Sequence, residues 1–132
     1  MPKHILHSPK IAPPSGVFSQ ATMVDSPRRL VFVSGMTSRD ATGAVVHVGD
    51  IEAQTRQVLK NLKAVLAEAG ATLDDIVKVT VFVRDIRDFA AIHEVRRAYF
   101  PKDPPASSMV EVSRLVDERM LIEIEAIAAL DR

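Results

Sequence analysis

The 132-residue sequence contains no cysteine and no tryptophan, and it has only five glycines. The lack of cysteine excludes a disulfide framework, a thiolate zinc site and a cysteine nucleophile. The few glycines form no GxGxxG, P-loop or GxSxG motif, so dinucleotide-binding, P-loop and serine-hydrolase functions lack support. Aromatic residues make up 5% of the chain. The core is therefore expected to be aliphatic.

The sequence also lacks an excess of charge of either sign. It has 17 Lys and Arg residues against 17 Asp and Glu residues, and this balance argues against a nucleic-acid partner. No apolar run approaches the roughly 18–20 residues of a membrane span, and residues 1–7 contain no apolar signal region. A cytoplasmic protein is expected. The four histidines lack metal-binding spacing, so no metal site is expected.

The apolar pattern predicts one domain over residues 1–132, in the order strands, helix, strand, helix, strands. The first helix is expected to begin after the N-cap Asp50 and to end at Gly70, and the second to run from about Asp88 to Pro101. The buried face of the first helix is expected to comprise Ile51, Val58, Leu59, Leu62, Val65, Leu66 and Ala69. Strands are expected at Ser19–Val24, Arg29–Gly35, Val45–Val48, Ile76–Val83, Ser108–Val112 and Met120–Ala128.

This order of elements predicts an α+β fold with both helices on one face of a mixed sheet. Because the apolar residues of Arg29–Gly35 are consecutive, this strand is expected to be central and covered on both faces. The other face of the sheet would expose Val, Ile, Phe and Met side chains. A monomer rarely leaves such a patch open, so a homo-oligomer is expected.

Two groups of residues are candidates for chemistry. Ser34 and Gly35, at a strand end, either offer a hydroxyl and a backbone amide to a ligand or simply form a turn. Alternation along the last strand places Glu123 and Glu125 on one face, roughly 7 Å apart. They belong either to a solvated face or to a cleft between subunits. In a cleft, burial would raise the pKa of one carboxylate and suit it to proton transfer.

Short motifs spread along residues 15–129 resemble the RidA/YjgF reactive intermediate deaminase family. The motifs are Gln54-Thr55, Asn61-Leu62, Ala69-Gly70, Val81-Phe82-Val83, Asp85, Phe89, Tyr99-Phe100, residues 110–115 and residues 122–128. Residues 45–56 are most similar to members that act on aminoacrylate. The resemblance implies a chorismate-mutase-like protomer, assembled as a homotrimer with clefts between subunits. It also implies cofactor-free hydrolysis of small enamines and imines, with release of ammonia.

Transferred to matching positions, the family's site has one catalytic residue and six positions that bind the ligand. They are Glu123 for catalysis, and Phe18, Ser34, Gly35, His93, Ser107 and Met109 for binding. Phe18 stands where the family usually has Tyr, and His93 where it often has Asn. The family stretch Pro-x-Arg-x-Cys becomes residues 105–109 of this chain, so its carboxylate-binding arginine is replaced by Ser107.

The serine leads to the expectation that no fixed positive charge faces a substrate carboxylate at this position. Losing a charged hydrogen bond weakens binding by roughly one to two powers of ten. A deaminase acting on a substrate other than 2-iminopropanoate is therefore expected, with Arg29, Arg96 and Arg114 as candidates if another cation serves. The alternative is a non-catalytic, metabolite-binding or regulatory trimer that uses the same cleft. The endoribonuclease or translation-inhibitor role attached to many members is not favoured by the balanced charge.

Overall fold

The computed structural model describes residues 3–132 as six strands and two α-helices. In chain order these are β1 Lys3–Leu6, β2 Ala21–Val24, β3 Arg29–Met36, α1 Ile51–Ala67, β4 Ile76–Val83, α2 Phe89–Tyr99, β5 Ala106–Glu111 and β6 Ile122–Leu130. Strands β3, β6, β4 and β5 form one sheet in that order, and β1 pairs with β2 separately. The β4–β5 pair is parallel and the other pairs are antiparallel. Two helices on a mixed sheet confirm the expected fold.

Helix α1 forms where its capping and apolar pattern predict it. The carboxylate of Asp50 accepts a hydrogen bond from the Ala53 amide at 3.0 Å, and Gly70 ends the helical segment with a φ of 71°. The buried stripe is centred on Leu62 and Leu66. Val65 was expected on the buried face but is 39% exposed, because it lies on the flank of that stripe.

The two faces of the sheet have different composition. Facing the helices are the buried side chains of alternate residues: Val79, Val81, Val83, Ile122, Ile124, Ala126 and Ala128. The opposite face, which we call the open face, carries Thr80, Phe82, Glu123 and Glu125 from the two central strands. The period of two along β4 and β6 is confirmed, and Glu123 and Glu125 do share one face.

Strand β3 is an edge strand of the described sheet, so the expectation of a central strand covered on both faces is wrong. Its one neighbour within residues 3–132 is β6. Val33 is buried beneath the helices, whereas Leu30 is 51% and Phe32 71% exposed on the open face. The apolar residues of β3 therefore alternate between the face that the helices cover and the open face, which no helix covers.

The prediction of a strand at Val45–Val48 is also wrong. A single bridge between Arg39 and Val45 is all that forms there. The extended run breaks because His47 and Gly49 adopt positive φ values of 59° and 79°, which lie in the left-handed region. This break turns the chain towards the N-cap of α1.

Other strand boundaries shift by two residues. The strand expected from Ser19 begins at Ala21 and pairs with β1, a strand that was not predicted. Strand β5 begins at Ala106 and β6 at Ile122, against the expected Ser108 and Met120. Such shifts are usual at the ends of elements, where pairing and not propensity fixes the boundary.

Candidate functional site

Ser34, Gly35 and Glu123 lie together at one end of the sheet, and we call this group the glutamate half-site. Here two residues of β3, Ser34 and Gly35, lie opposite one residue of β6, Glu125, which is the arrangement of a β-bulge. A Cβ added at Gly35 would overlap the Glu123 carboxylate. Only glycine therefore lets this carboxylate lie against the backbone. Ser34 is exposed and Glu123 half-buried, so the group is open to solvent.

Two polar side chains of α1 fix the loops that flank the glutamate half-site. Asn61 donates hydrogen bonds to the carbonyls of Thr37 and Arg39, at 3.0 and 2.9 Å, just after the bulge. The buried Gln54 accepts a hydrogen bond from the Leu121 amide at 2.8 Å, just before β6. Sequence reasoning assigned neither residue a role in the site. In the sequence, both could have been found as polar residues next to the apolar stripe of α1, since a buried polar side chain needs a hydrogen-bond partner.

A second group contains His93, Arg96 and Ser107, and we call it the arginine half-site. Arg96 is 1% exposed, and its Nη2 donates a hydrogen bond to the Ser107 hydroxyl at 3.1 Å. No ion pair found within residues 3–132 includes Arg96. Burial lowers the pKa of Arg96 to about 10, so the guanidinium keeps its charge at neutral pH. The structure thus places beside Ser107 one of the three arginines that the sequence offered as candidate cations.

His93 lies one turn before Arg96 and is buried as well. Its ring stacks on Phe89 at a centroid distance of 3.9 Å, and its Nδ1 lies 3.0 Å from the Phe89 carbonyl. Because a carbonyl can only accept, we assign the proton to Nδ1. Burial and the neighbouring Arg96 lower the pKa of His93. Within residues 3–132 its Nε2 has no hydrogen-bond partner, and a Cβ at Gly16 would overlap it.

The remaining expected positions lie next to this half-site. Phe18 is half-buried and precedes Ser19, whose amide and hydroxyl donate hydrogen bonds to the Pro105 and Pro104 carbonyls at 3.1 and 2.6 Å. These bonds hold the Phe18 segment at the start of β5. Met109, two residues after Ser107 on β5, is half-buried and packs against the core.

The two half-sites lie on opposite faces of the sheet within one protomer. Ser107 pairs with Val79 on the face that the helices cover, whereas Glu123 pairs with Phe82 on the open face. The two registers are three residues apart along β4, roughly 10 Å. The structure therefore joins Ser34 and Gly35 with Glu123, and His93 with Ser107, but it does not unite the two groups in one chain.

Two further features bear on the site within residues 3–132. That part of the chain contains no cluster of three or more His, Asp or Glu side chains suited to hold a metal ion. None of its helices has the length and apolar character needed to cross a membrane.

The family model described as Endoribonuclease L-PSP matches residues 9–130. The chain belongs to this family, the RidA/YjgF family. A RutC family protein of Pyrococcus abyssi is 44% identical over 128 residues, which cover 97% of this chain and 98% of the relative. The 3-aminoacrylate deaminase RutC of Acinetobacter baylyi is 41% identical, with the same coverage of both chains.

Solved structures of RidA/YjgF proteins share the fold. The Rid family protein YyfB of Yersinia pestis superposes with a TM-score of 0.89 at 35% identity, covering 98% of this chain and 100% of that one. YyfA of the same organism gives a TM-score of 0.72 at 40% identity, with the same coverage. The family resemblance drawn from short sequence motifs is thereby confirmed.

Proposed function

We propose that this RidA/YjgF protein hydrolyses reactive enamines or imines and releases ammonia. The observation that carries the proposal is the Glu123 carboxylate, which lies against the backbone of Gly35 beside the exposed Ser34 hydroxyl. A half-buried carboxylate next to polar groups can move protons to and from a bound water. The 41% identity to a protein named as a deaminase supports the same reaction class.

The proposed reaction balances without an oxidant or reductant. Protonation of an enamine at carbon gives an iminium ion. Glu123 then accepts a proton from water as the water oxygen bonds to the iminium carbon, which gives a neutral carbinolamine. The carboxylic acid returns that proton to the amino nitrogen, and the C–N bond breaks to release ammonia while the hydroxyl proton of the carbinolamine passes to the carboxylate and then to solvent, which leaves the carbonyl product. No electrons pass to an acceptor, so this chemistry requires no redox cofactor.

The finer part of the proposal is a substrate other than 2-iminopropanoate. The cation beside Ser107 is Arg96, which belongs to α2 and not to β5. Its Nη2 lies 3.1 Å from the Ser107 hydroxyl. A carboxylate held there would sit differently from one held by an arginine on the strand. In 3-aminoacrylate the nitrogen-bearing carbon is one bond further from the carboxylate than in 2-iminopropanoate. The name of the Acinetobacter baylyi relative makes this enamine acid the first compound to test.

We also propose that the protein is a homotrimer in which the glutamate half-site of one subunit meets the arginine half-site of the next. Two observations support this arrangement. The half-sites lie on opposite faces of one sheet, so a neighbour is needed to bring them together. Phe32, 71% exposed on the open face, marks an apolar surface that a neighbouring copy would cover. A cytoplasmic location stays a prediction of the sequence.

The test of the activity is ammonia release from substrates generated in the assay. Both 3-aminoacrylate and 2-iminopropanoate hydrolyse unaided, so the rate with enzyme is compared with the spontaneous rate of each. The proposal expects acceleration, greater for 3-aminoacrylate and abolished in Glu123→Gln. No acceleration with either compound, in a protein that still binds small carboxylates, would favour the non-catalytic binding role.

Light scattering tests the assembly independently of turnover. About three chain masses are expected, because heterologous contacts between half-sites close into a ring. A monomer at micromolar concentration would contradict both the trimer and a site shared between subunits.

A further inference from the structure

A cavity of about 810 Å³ opens at one end of the sheet, and no residue of either half-site lines it. Its walls are Arg84, which directly follows β4, and residues 114–119 of the connection between β5 and β6. We call it the loop cavity. The Arg84 amide donates a hydrogen bond to the Leu121 carbonyl at 3.1 Å, which fixes one wall to the chain just before β6. The volume lies in the range of sites that bind small molecules.

The walls of the loop cavity carry more positive than negative charge. Five charged side chains line it: Arg84, Arg114, Arg119, Asp117 and Glu118. A fourth arginine lies nearby, because hydrogen bonds from Arg119 and, to a lesser degree, the charge of Arg39 lower the pKa of Asp117. Four arginines against two carboxylates leave an excess of two positive charges. The cavity therefore attracts anions.

Both carboxylates of the loop cavity act on the same arginine. Asp117 accepts hydrogen bonds from Nε and Nη2 of Arg119 at 3.0 and 2.7 Å. These bonds and, after them, the charge of Glu118 raise the pKa of Arg119. In the part of the chain that the structure describes, no ion pair includes Arg84 or Arg114, and the buried Nε of Arg84 has no hydrogen-bond partner. Two guanidinium groups are thus available to an anionic ligand.

The loop cavity also has an apolar wall. Leu115 is half-buried, and Val116 is 85% exposed, more than any other large hydrophobic side chain of the described residues. Arginines beside apolar side chains suit a ligand with an anionic end and an apolar body. A phosphate monoester carries about −1.5 to −2 charges at pH 7 and offers three acceptor oxygens, which two guanidinium groups can share. The excess of two positive charges therefore favours a phosphate over a carboxylate.

We propose that the loop cavity binds a small phosphate monoester with an apolar body. The phosphate group binds between Arg84 and Arg114. The apolar body lies on Leu115 and Val116. Glu118 lines the same cavity, so it can accept hydrogen bonds from hydroxyl or amino groups of the ligand and repels further phosphate groups. This site is independent of the proposed deaminase activity.

The first test measures binding of AMP to the intact assembly by calorimetry. AMP combines one phosphate group with a flat aromatic base, whereas adenosine lacks the charge and inorganic phosphate lacks the apolar body. We expect AMP to bind more tightly than either, and more tightly than ATP, because the cavity also contains carboxylates. Binding of AMP should weaken as the salt concentration rises, since salt screens the attraction between charges.

Substitution of one arginine tests the position of the phosphate group. Arg84→Met removes the charge and retains most of the length of the side chain. We expect it to weaken AMP binding by about tenfold to a hundredfold, the range of a charged hydrogen bond. Arg97→Met is the matched control, since Arg97 is exposed on α2 and pairs with Glu94, and it is expected to bind AMP like the wild type.

A second variant changes the apolar wall and keeps the inference testable if Arg84→Met does not fold. Val116→Glu places a negative charge in the loop cavity at a position where the side chain is exposed and packs against little of the protein. We expect it to weaken AMP binding by about tenfold through repulsion of the phosphate. Val116→Gln has the same shape without the charge and is expected to bind AMP more tightly than Val116→Glu.

Several results would overturn the inference. They are the absence of saturable AMP binding to the wild type at millimolar concentration, equal binding of adenosine or inorganic phosphate, and unchanged affinity in Arg84→Met or Val116→Glu. Loss of AMP binding in Glu123→Gln would place the ligand in the glutamate half-site and contradict a separate site. A fall in oligomer mass in Arg84→Met, with unchanged AMP affinity, would assign this arginine to a contact between copies of the chain.

Discussion

The glutamate and arginine half-sites differ in burial and in what holds them. Glu123 is half-buried, and its surroundings are fixed by the hydrogen bond that Asn61 donates to one flanking loop and the one that Gln54 accepts from the other. Arg96 is fully buried, and its hydrogen bond to Ser107 links α2 to β5. Under the proposed function, the group that transfers protons keeps access to water, whereas the positive charge of the other half-site is buried.

The largest expected effect is on kcat, when the substitution of Glu123 is compared with that of Glu125, the other carboxylate of the open face. Glu123→Gln keeps the shape of the side chain but removes proton transfer, so kcat for ammonia release should fall by about 10²–10⁴-fold. Glu125→Gln is the control, because Glu125 is exposed on the same strand, and its kcat should stay near that of the wild type. An equal loss of kcat in the two variants would mean that the total charge of the open face matters, and that Glu123 has no special role.

Mixing two inactive variants tests whether the half-sites meet between subunits. In a ring formed at random from Glu123→Gln and Arg96→Met chains, about one cleft in four receives both intact half-sites. Ammonia release should therefore recover to about a quarter of the wild-type rate after joint unfolding and refolding. Each variant refolded alone provides the baseline. No recovery, in mixed assemblies confirmed by mass, would contradict a shared cleft.

Gln54 tests how firmly α1 holds the glutamate half-site. Gln54→Ala removes the hydrogen-bond partner of the half-buried Leu121 amide, which should lower the free energy of unfolding by about 1–3 kcal/mol and reduce kcat. Urea unfolding measures the first effect, with Lys60→Ala as control, since Lys60 is exposed on the same helix. Equal destabilisation by the two variants would count against the anchoring role.

The smallest effect concerns the pH dependence of stability at the arginine half-site. Burial lowers the pKa of His93 below its ordinary 6.5. As the pH falls through about 6.5, the unfolded chain binds a proton that the folded chain does not, so stability is lost on the acid side. His93→Asn should flatten this dependence between about pH 7.5 and pH 5.5, measured by urea unfolding. His7→Gln, at an exposed position, should keep the wild-type slope.

Much of the fold follows from local pattern. The cap at Asp50, the stop at Gly70 and the alternation along residues 76–83 are short-range features, and α1 and β4 form where they predict. The position of Glu123 and Glu125 on the same face of the sheet likewise follows from the two-residue period of a strand alone. Element boundaries and the position of β3 in the sheet were less predictable, since they depend on which strand pairs with which.

The sequence by itself determined the α+β order of elements and the family, and it named the candidate site residues, with Arg96 as one of three candidate cations. Tertiary structure decided how those residues group. The hydrogen bond from Arg96 to Ser107 joins α2 to β5, and the close approach of the Glu123 carboxylate to Gly35 joins β6 to β3. Helix and strand periodicity carry no information on such contacts, because packing between elements sets them. The placement of the half-sites on opposite faces of the sheet follows from the strand register, which no single segment encodes.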